Sequence, residues 1–148
     1  MKAKIFLIAI TFAMVTVLVV YMDTGRHIDK NCYLLLMEKA LFIFAITIPF
    51  DIRDIDVDRI SNVKTIPRYL GIAKSVRIAQ FSTAAAMLLV LFNDLYTLNY
   101  TLTMLLTYVA TIALLQFTDS KREDLFFSFG VDGLMILQTL ALFVIWLF

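Results

Sequence analysis

The sequence predicts an all-α, polytopic transmembrane helical bundle with about five spanning helices, and three observations predict it. Hydrophobic residues make up 61% of the chain against 17% charged, and the mean hydropathy is +0.88, values outside the range of an ordinary soluble domain. The apolar residues are gathered into long runs, and a helix needs roughly 20 of them, at about 1.5 Å of rise each, to cross a hydrocarbon core about 30 Å thick. The runs also lack the polar–apolar alternation of a membrane barrel strand, which would need only about 10 residues.

The first run covers residues 5–22. Lys2 and Lys4 precede it as they would in a signal peptide, but no small-x-small cleavage site follows and the stretch is long for such a segment, so it reads as a retained span. The second covers residues 33–50 and is interrupted only by Glu38 and Lys39, close enough to its start for both side chains to reach the interface. The third covers residues 75–92, its apolar part beginning at Ile78, and the fourth covers residues 100–118.

The fifth run, residues 125–148, contains one charge, Asp132, between Gly130 and Gly133. A carboxylate facing lipid there costs about 2.5–3.5 kcal/mol, so Asp132 is expected to face the bundle interior or water, as a hydrogen-bonding group or in the wall of a cavity. The two glycines are expected to permit close helix approach. Phe126, Phe127 and Phe129 suit either packing or the lining of an apolar channel. Gln80, Asn93, Gln116, Asp119 and Gln138 are polar positions whose partners the sequence does not reveal.

Five spans in series place Lys2, Lys4, Arg53, Arg59, Lys64, Arg68, Lys74, Arg77, Lys121 and Arg122 on one side and only Arg26 and Lys30 on the other. The positive-inside rule then makes the amino terminus and the connector 51–74 cytoplasmic and puts the carboxyl terminus on the opposite side. The net charge of +1 conceals this asymmetry and supplies no footprint for nucleic acid. The single cysteine, Cys32, excludes an intramolecular disulfide and reads as a small residue at a helix end; His27 reads as a solvated loop residue.

The connector after the second run carries the chemistry. It begins Asp51-Ile52-Arg53-Asp54-Ile55-Asp56-Val57-Asp58-Arg59. If the helix continues past Phe50, Asp51, Asp54 and Asp58 fall within an arc of about 60°, while Asp56 points away. Aligned carboxylates repel one another unless a cation intervenes. An all-oxygen set without histidine or cysteine suits Mg²⁺, which takes one or two carboxylates, keeps water and completes its shell with substrate phosphate. The competing reading is a solvated helix end whose acids pair with Arg53 and Arg59.

Downstream stands Asn62-Val63-Lys64-Thr65-Ile66-Pro67-Arg68-Tyr69-Leu70-Gly71. Asn62 suits a left-handed turn, Thr65 the cap of a short helix, Pro67 its first turn and Gly71 its end. Residues 51–71 together resemble the second aspartate-rich motif of the UbiA-type intramembrane prenyltransferases, in which D-x-x-D-x-x-x-D ends a transmembrane helix and a K-[ST]-[LI]-P-x-x-L-G-like stretch follows. Here those parts are Asp51, Asp54 and Asp58, then Lys64-Thr65-Ile66-Pro67 and Leu70-Gly71. Asn62 stands where the family commonly has glycine, and Arg68 where it often has an apolar residue.

The resemblance implies a nine-helix bundle with one aspartate motif in each half, and the five runs match its carboxyl-terminal half. It implies Mg²⁺-dependent transfer of a prenyl group from an isoprenoid diphosphate to an acceptor that the sequence does not specify. Asp51, Asp54 and Asp58 are the implied Mg²⁺ ligands and Lys64 a diphosphate contact; Arg68 is a weaker candidate, facing either the diphosphate or lipid headgroups. With one motif where the family has two, the lone chain is expected to be inactive without an N-terminal-half partner or a second copy of itself. Two other readings stay open: a non-catalytic membrane subunit or degenerate homologue that retains the motif, and a divalent-cation carrier. The carrier fits less well, because transport acids belong near the bilayer midplane.

Overall fold

The computed structural model describes residues 3–147; Lys2 and the last residue of the fifth expected span, Phe148, lie outside it. Among the described residues the structure is helical, without strands, and four helices are long and apolar enough to cross a membrane: Lys4–Asp23, Lys30–Arg53, Ile72–Leu91 and Leu98–Leu115. Each overlaps an expected run. The ends move by a few residues because caps, which hydropathy does not see, set where a helix begins and stops.

The first span comprises α1 (Ala3–Ala13), a widened π-helical stretch (Met14–Leu18) and α2 (Val19–Asp23). Within the widened stretch the Thr16 hydroxyl donates to the Phe12 carbonyl at 2.8 Å, the back-bonding by which Ser and Thr disturb helix regularity. The next helix, α3 (Lys30–Arg53), starts where the Asp29 carboxylate accepts the Cys32 backbone N–H at 2.9 Å. Cys32 itself is fully buried against Val17 and Tyr21. Two short helices, α4 (Ile55–Ile60) and α5 (Ile66–Leu70), precede α6 (Ile72–Leu91) and α7 (Leu98–Leu115).

The fifth expected span, like the first, includes a π-helical stretch. In it a π-helical segment, Phe126–Asp132, runs directly into α8 (Gly133–Leu147).

Helix α3 is the hub. It packs against α1 on one side and α6 on the other, α6 packs against α7, and α7 against α8; the π-helical segment returns to α3. The core joins Phe42, Ile43 and Ile46 of α3 to Ala86 and Val90 of α6, Met104 and Tyr108 of α7, and Phe127 and Val131. Lipid supplies no hydrophobic drive between helices, so small residues and interhelical hydrogen bonds set the contacts. Accordingly Ala79 and Ala86 are fully buried, Ser82 donates to the Leu41 carbonyl at 2.8 Å, and Gln80 donates to the Ile112 carbonyl at 3.3 Å. Asn93 donates to the Asn31 carbonyl at 3.3 Å, and Gln138 lies buried with its amide 2.8 Å from the Met104 sulfur.

Two expectations need correction, those for Gly133 and Glu38. Asp132 is exposed, outside the bundle interior, and lies close enough to Arg53 for its charge to act on the guanidinium. Of its flanking glycines, Gly130 does allow close approach, since a Cβ there would sit 3.3 Å from Leu114; Gly133 faces open space. Glu38 does not reach for the interface. It is buried, 1% exposed, because hydroxyl donors on other elements meet it inside the bundle.

Candidate functional site: the aspartate cavity

The expected acidic face forms, although the helix that carries it is interrupted. Helix α3 stops at Arg53, Asp54 serves as both its C-cap and the N-cap of α4, and α4 resumes at Ile55. The interruption is mild, because the Asp54 N–H still reaches the Phe50 carbonyl at 3.0 Å and the Asp58 N–H the Asp54 carbonyl at 2.8 Å. Helical phase is thereby kept across the break. Asp51, Asp54 and Asp58 are all partly buried and line one cavity of about 420 Å³, whereas Asp56 is exposed and points elsewhere.

The rest of the connector folds as its residues dictate. Asn62 turns the chain at a φ of 53°, in the left-handed region, and Gly71 ends α5 at a φ of 83°. Pro67 sits in the first turn of α5, where a missing N–H costs nothing. Thr65 occupies the N-cap position, but its side chain makes no capping bond. Its hydroxyl is buried and, among the described residues, without a hydrogen-bond partner, a state that costs about 1–3 kcal/mol.

The three carboxylates differ in their surroundings. Asp54 accepts two bonds from Arg53, at 2.8 Å from Nε and 3.4 Å from Nη2, so one acid is paired as the solvated-helix reading anticipates. Arg53 is itself braced, with its guanidinium over the rings of Phe50 and Phe127 at 5.4 and 5.7 Å. Asp51 and Asp58 accept no side-chain hydrogen bond and form no ion pair among the described residues. Their charges face the cavity, where Lys4 is the one cation among the described lining residues.

Lys64, the expected diphosphate contact, is exposed and stands in the wall of a neighbouring hollow of about 270 Å³ with Thr65, Arg68 and Tyr69. Thr65 belongs to both walls. Arg68 does not reach into the aspartate cavity. Its guanidinium donates to the carbonyls of Asp58 and Val63 at 3.3 and 2.8 Å and to the Asn62 side chain at 3.2 Å, clamping the turn that carries the motif.

The cation that does line the aspartate cavity is Lys4, at the start of the first span, together with Ile5. In the sequence Lys4 marks only orientation. That it shares a cavity with Asp51 depends on α1 packing beside the end of α3.

Among the described residues no three Asp, Glu, His or Cys side chains are close enough together to clasp a metal unaided. Mg²⁺ does not require that, because waters and phosphate supply most of its shell. The cavity wall offers only hard oxygen donors besides Lys4: the carboxylates, the Asn62 amide and the orphaned Thr65 hydroxyl. This donor set fits Mg²⁺ in company with a phosphate.

Comparison with known proteins finds no match among curated proteins or solved structures. It does find a match to a family model, the UbiA prenyltransferase family, over residues 3–137. That match runs from the first helix, through the aspartate cavity, to the apolar helix after Asp132, and the chain therefore belongs to the UbiA prenyltransferase family.

Proposed function

We propose that the aspartate cavity binds an isoprenoid diphosphate together with Mg²⁺, and that the chain contributes this site to the transfer of the prenyl group to an acceptor. The observation that carries the reading is the gathering of Asp51, Asp54 and Asp58 with Lys4 around one cavity at the end of an apolar helix, in a member of a prenyltransferase family. When bound, Mg²⁺ neutralises the charge that collects on the departing diphosphate. Asp51 and Asp58, whose carboxylates accept no hydrogen bond among the described residues, hold the positive side of that assembly. Lys4, in the same cavity, offsets the negative charge of the phosphates, and Lys64, one hollow away, raises the local positive potential. Arg68 keeps the turn in register, and the apolar residues of α3 above the cavity limit water around the prenyl carbon.

Binding of geranylgeranyl diphosphate to purified protein in lipid nanodiscs is expected to require Mg²⁺. Equal affinity with and without Mg²⁺, in protein shown to be folded, overturns the reading. The Arg53–Asp54 ion pair favours a second reading, a non-catalytic subunit that keeps the motif without its chemistry. The chain carries one aspartate motif where the family uses two, so prenyl transfer by this chain alone is expected to be negligible and to need an N-terminal-half partner or a second copy. Rapid turnover by protein shown to be monomeric contradicts that expectation. Activity on adding the amino-terminal half of a related enzyme supports the transferase over the non-catalytic subunit.

The cavity is proposed to open to the cytoplasm, as the excess of basic residues on its side of the bundle suggests. Ser61 is exposed beside the motif and the native Cys32 is fully buried, so Ser61→Cys gives a single reporter thiol. It is expected to resist a membrane-impermeant maleimide in intact cells and to react after lysis; labelling in intact cells reverses the topology.

A further inference from the structure

Thr65 has the sequence context of a helix cap and the backbone of one, with a φ of −103° and a ψ of 165°, yet its hydroxyl caps nothing. Its carbonyl already serves the helix by accepting the Tyr69 N–H at 3.2 Å. The hydroxyl is left buried, in a residue only 7% exposed, with no hydrogen-bond partner among the described residues and with its side chain in the wall of the aspartate cavity. Acceptors abound in that cavity, but neither Asp51 nor Asp58 takes the proton of this hydroxyl. A buried donor beside a cavity, missing an acceptor, is complementary to an oxygen that arrives with a ligand.

Charge tells which ligand oxygen this is. The three carboxylates make one part of the wall cation-seeking, while Lys4 supplies a positive charge to the same cavity. A diphosphate carrying a metal presents both signs at once: its metal turns to the carboxylates and its unmetallated oxygens to donors. We infer that Thr65 Oγ1 donates a hydrogen bond to a phosphate oxygen of the diphosphate, and that Thr65, rather than its neighbour Lys64, is the residue of the Lys64-Thr65-Ile66-Pro67 stretch that touches the ligand in this cavity. The inference rests on the diphosphate reading above and adds to it a contact that neither the aspartate motif nor the capping pattern requires.

The test uses the full chain in nanodiscs, with inorganic pyrophosphate plus Mg²⁺ as one probe, followed by calorimetry, and Mn²⁺ alone as the other, followed by electron paramagnetic resonance. Thr65→Val removes the hydroxyl while keeping shape and β-branching, and Thr65→Ser keeps the hydroxyl. Thr65→Val is expected to weaken pyrophosphate binding by about tenfold or more, the loss typical of a hydrogen bond to a charged acceptor. It should leave Mn²⁺ binding as in the wild type and the thermal unfolding midpoint unchanged or higher, because a methyl is better placed than an unpaired hydroxyl. Thr65→Ser should bind pyrophosphate like the wild type. Wild-type binding that Thr65→Val leaves intact, or a Thr65→Val loss that falls equally on Mn²⁺ alone, overturns this inference and spares the diphosphate reading. A wild-type protein that binds no pyrophosphate with Mg²⁺ sinks both.

Discussion

Asp51→Asn combined with Asp58→Asn is expected to weaken Mg²⁺-dependent pyrophosphate binding by at least about 100-fold and, in metal-free protein, to raise the thermal unfolding midpoint. The two signs are opposite for one reason. Among the described residues the Asp51 and Asp58 carboxylates accept no hydrogen bond and form no ion pair, and they share a cavity in which Lys4 offsets only part of their charge, so in the absence of a bound cation they repel each other. Asparagine removes the repulsion and the metal affinity together. Asp54→Asn is expected to behave differently, because Arg53 already neutralises that carboxylate and the substitution breaks an existing pair. Its effect on binding should be the smallest of the three. Titration of each variant with pyrophosphate at fixed Mg²⁺, alongside thermal unfolding with chelator present, measures both effects. A double variant that binds within a few-fold of the wild type removes these aspartates from the site. One that is destabilised without metal shows instead that the carboxylates are structural.

The acidic face is legible in the sequence because its cause is local. Spacing of three and four residues aligns Asp51, Asp54 and Asp58 on any helix, and the break at Asp54 preserves the phase through the bond from the Asp58 N–H. The turn at Asn62 and the helix stop at Gly71 are legible for the same reason, since each depends on the conformational freedom of one residue. The spans are legible because length and apolarity alone decide whether a helix can cross lipid.

What could not be read depends on which elements meet. The reach of Lys4 into the aspartate cavity requires α1 to pack beside the end of α3, and Ile5 joining Ile48 and Ile52 in one cluster is the packing that brings it there. Arg68 resembled a phosphate or headgroup ligand until the turn at Asn62 presented it with three acceptors. The hydroxyl of Thr65 fits a cap by position, and only the folded surroundings show that it stays free.

Glu38 is the clearest such case, and its replacement is expected to produce the largest loss of stability in the chain. Its carboxylate accepts from Tyr96 at 2.6 Å, from Tyr108 at 2.5 Å and from the Lys39 ammonium at 3.2 Å, which ties α3 to α7 and to the connector before α7. Burial, and then the Glu38 charge, raise the Tyr96 phenol well above its ordinary range, so it remains a donor at every accessible pH. Glu38→Leu leaves the buried Tyr108 hydroxyl and the partly buried Tyr96 hydroxyl and Lys39 ammonium without their acceptor, and the loss is expected to approach that of a broken buried charged pair, about 3–5 kcal/mol. Glu38→Gln keeps an acceptor for one hydroxyl and should cost about 1–2 kcal/mol. Adding Tyr108→Phe to Glu38→Leu should recover part of the loss, because one orphaned donor disappears with its partner. Unfolding in mixed detergent micelles reads all three, and a Glu38→Leu protein within about 0.5 kcal/mol of the wild type contradicts the argument. The same series separates stability from the site. Glu38 lies thirteen residues before Asp51, about 20 Å along α3, so Glu38→Gln protein that remains folded should bind pyrophosphate and Mg²⁺ as the wild type does.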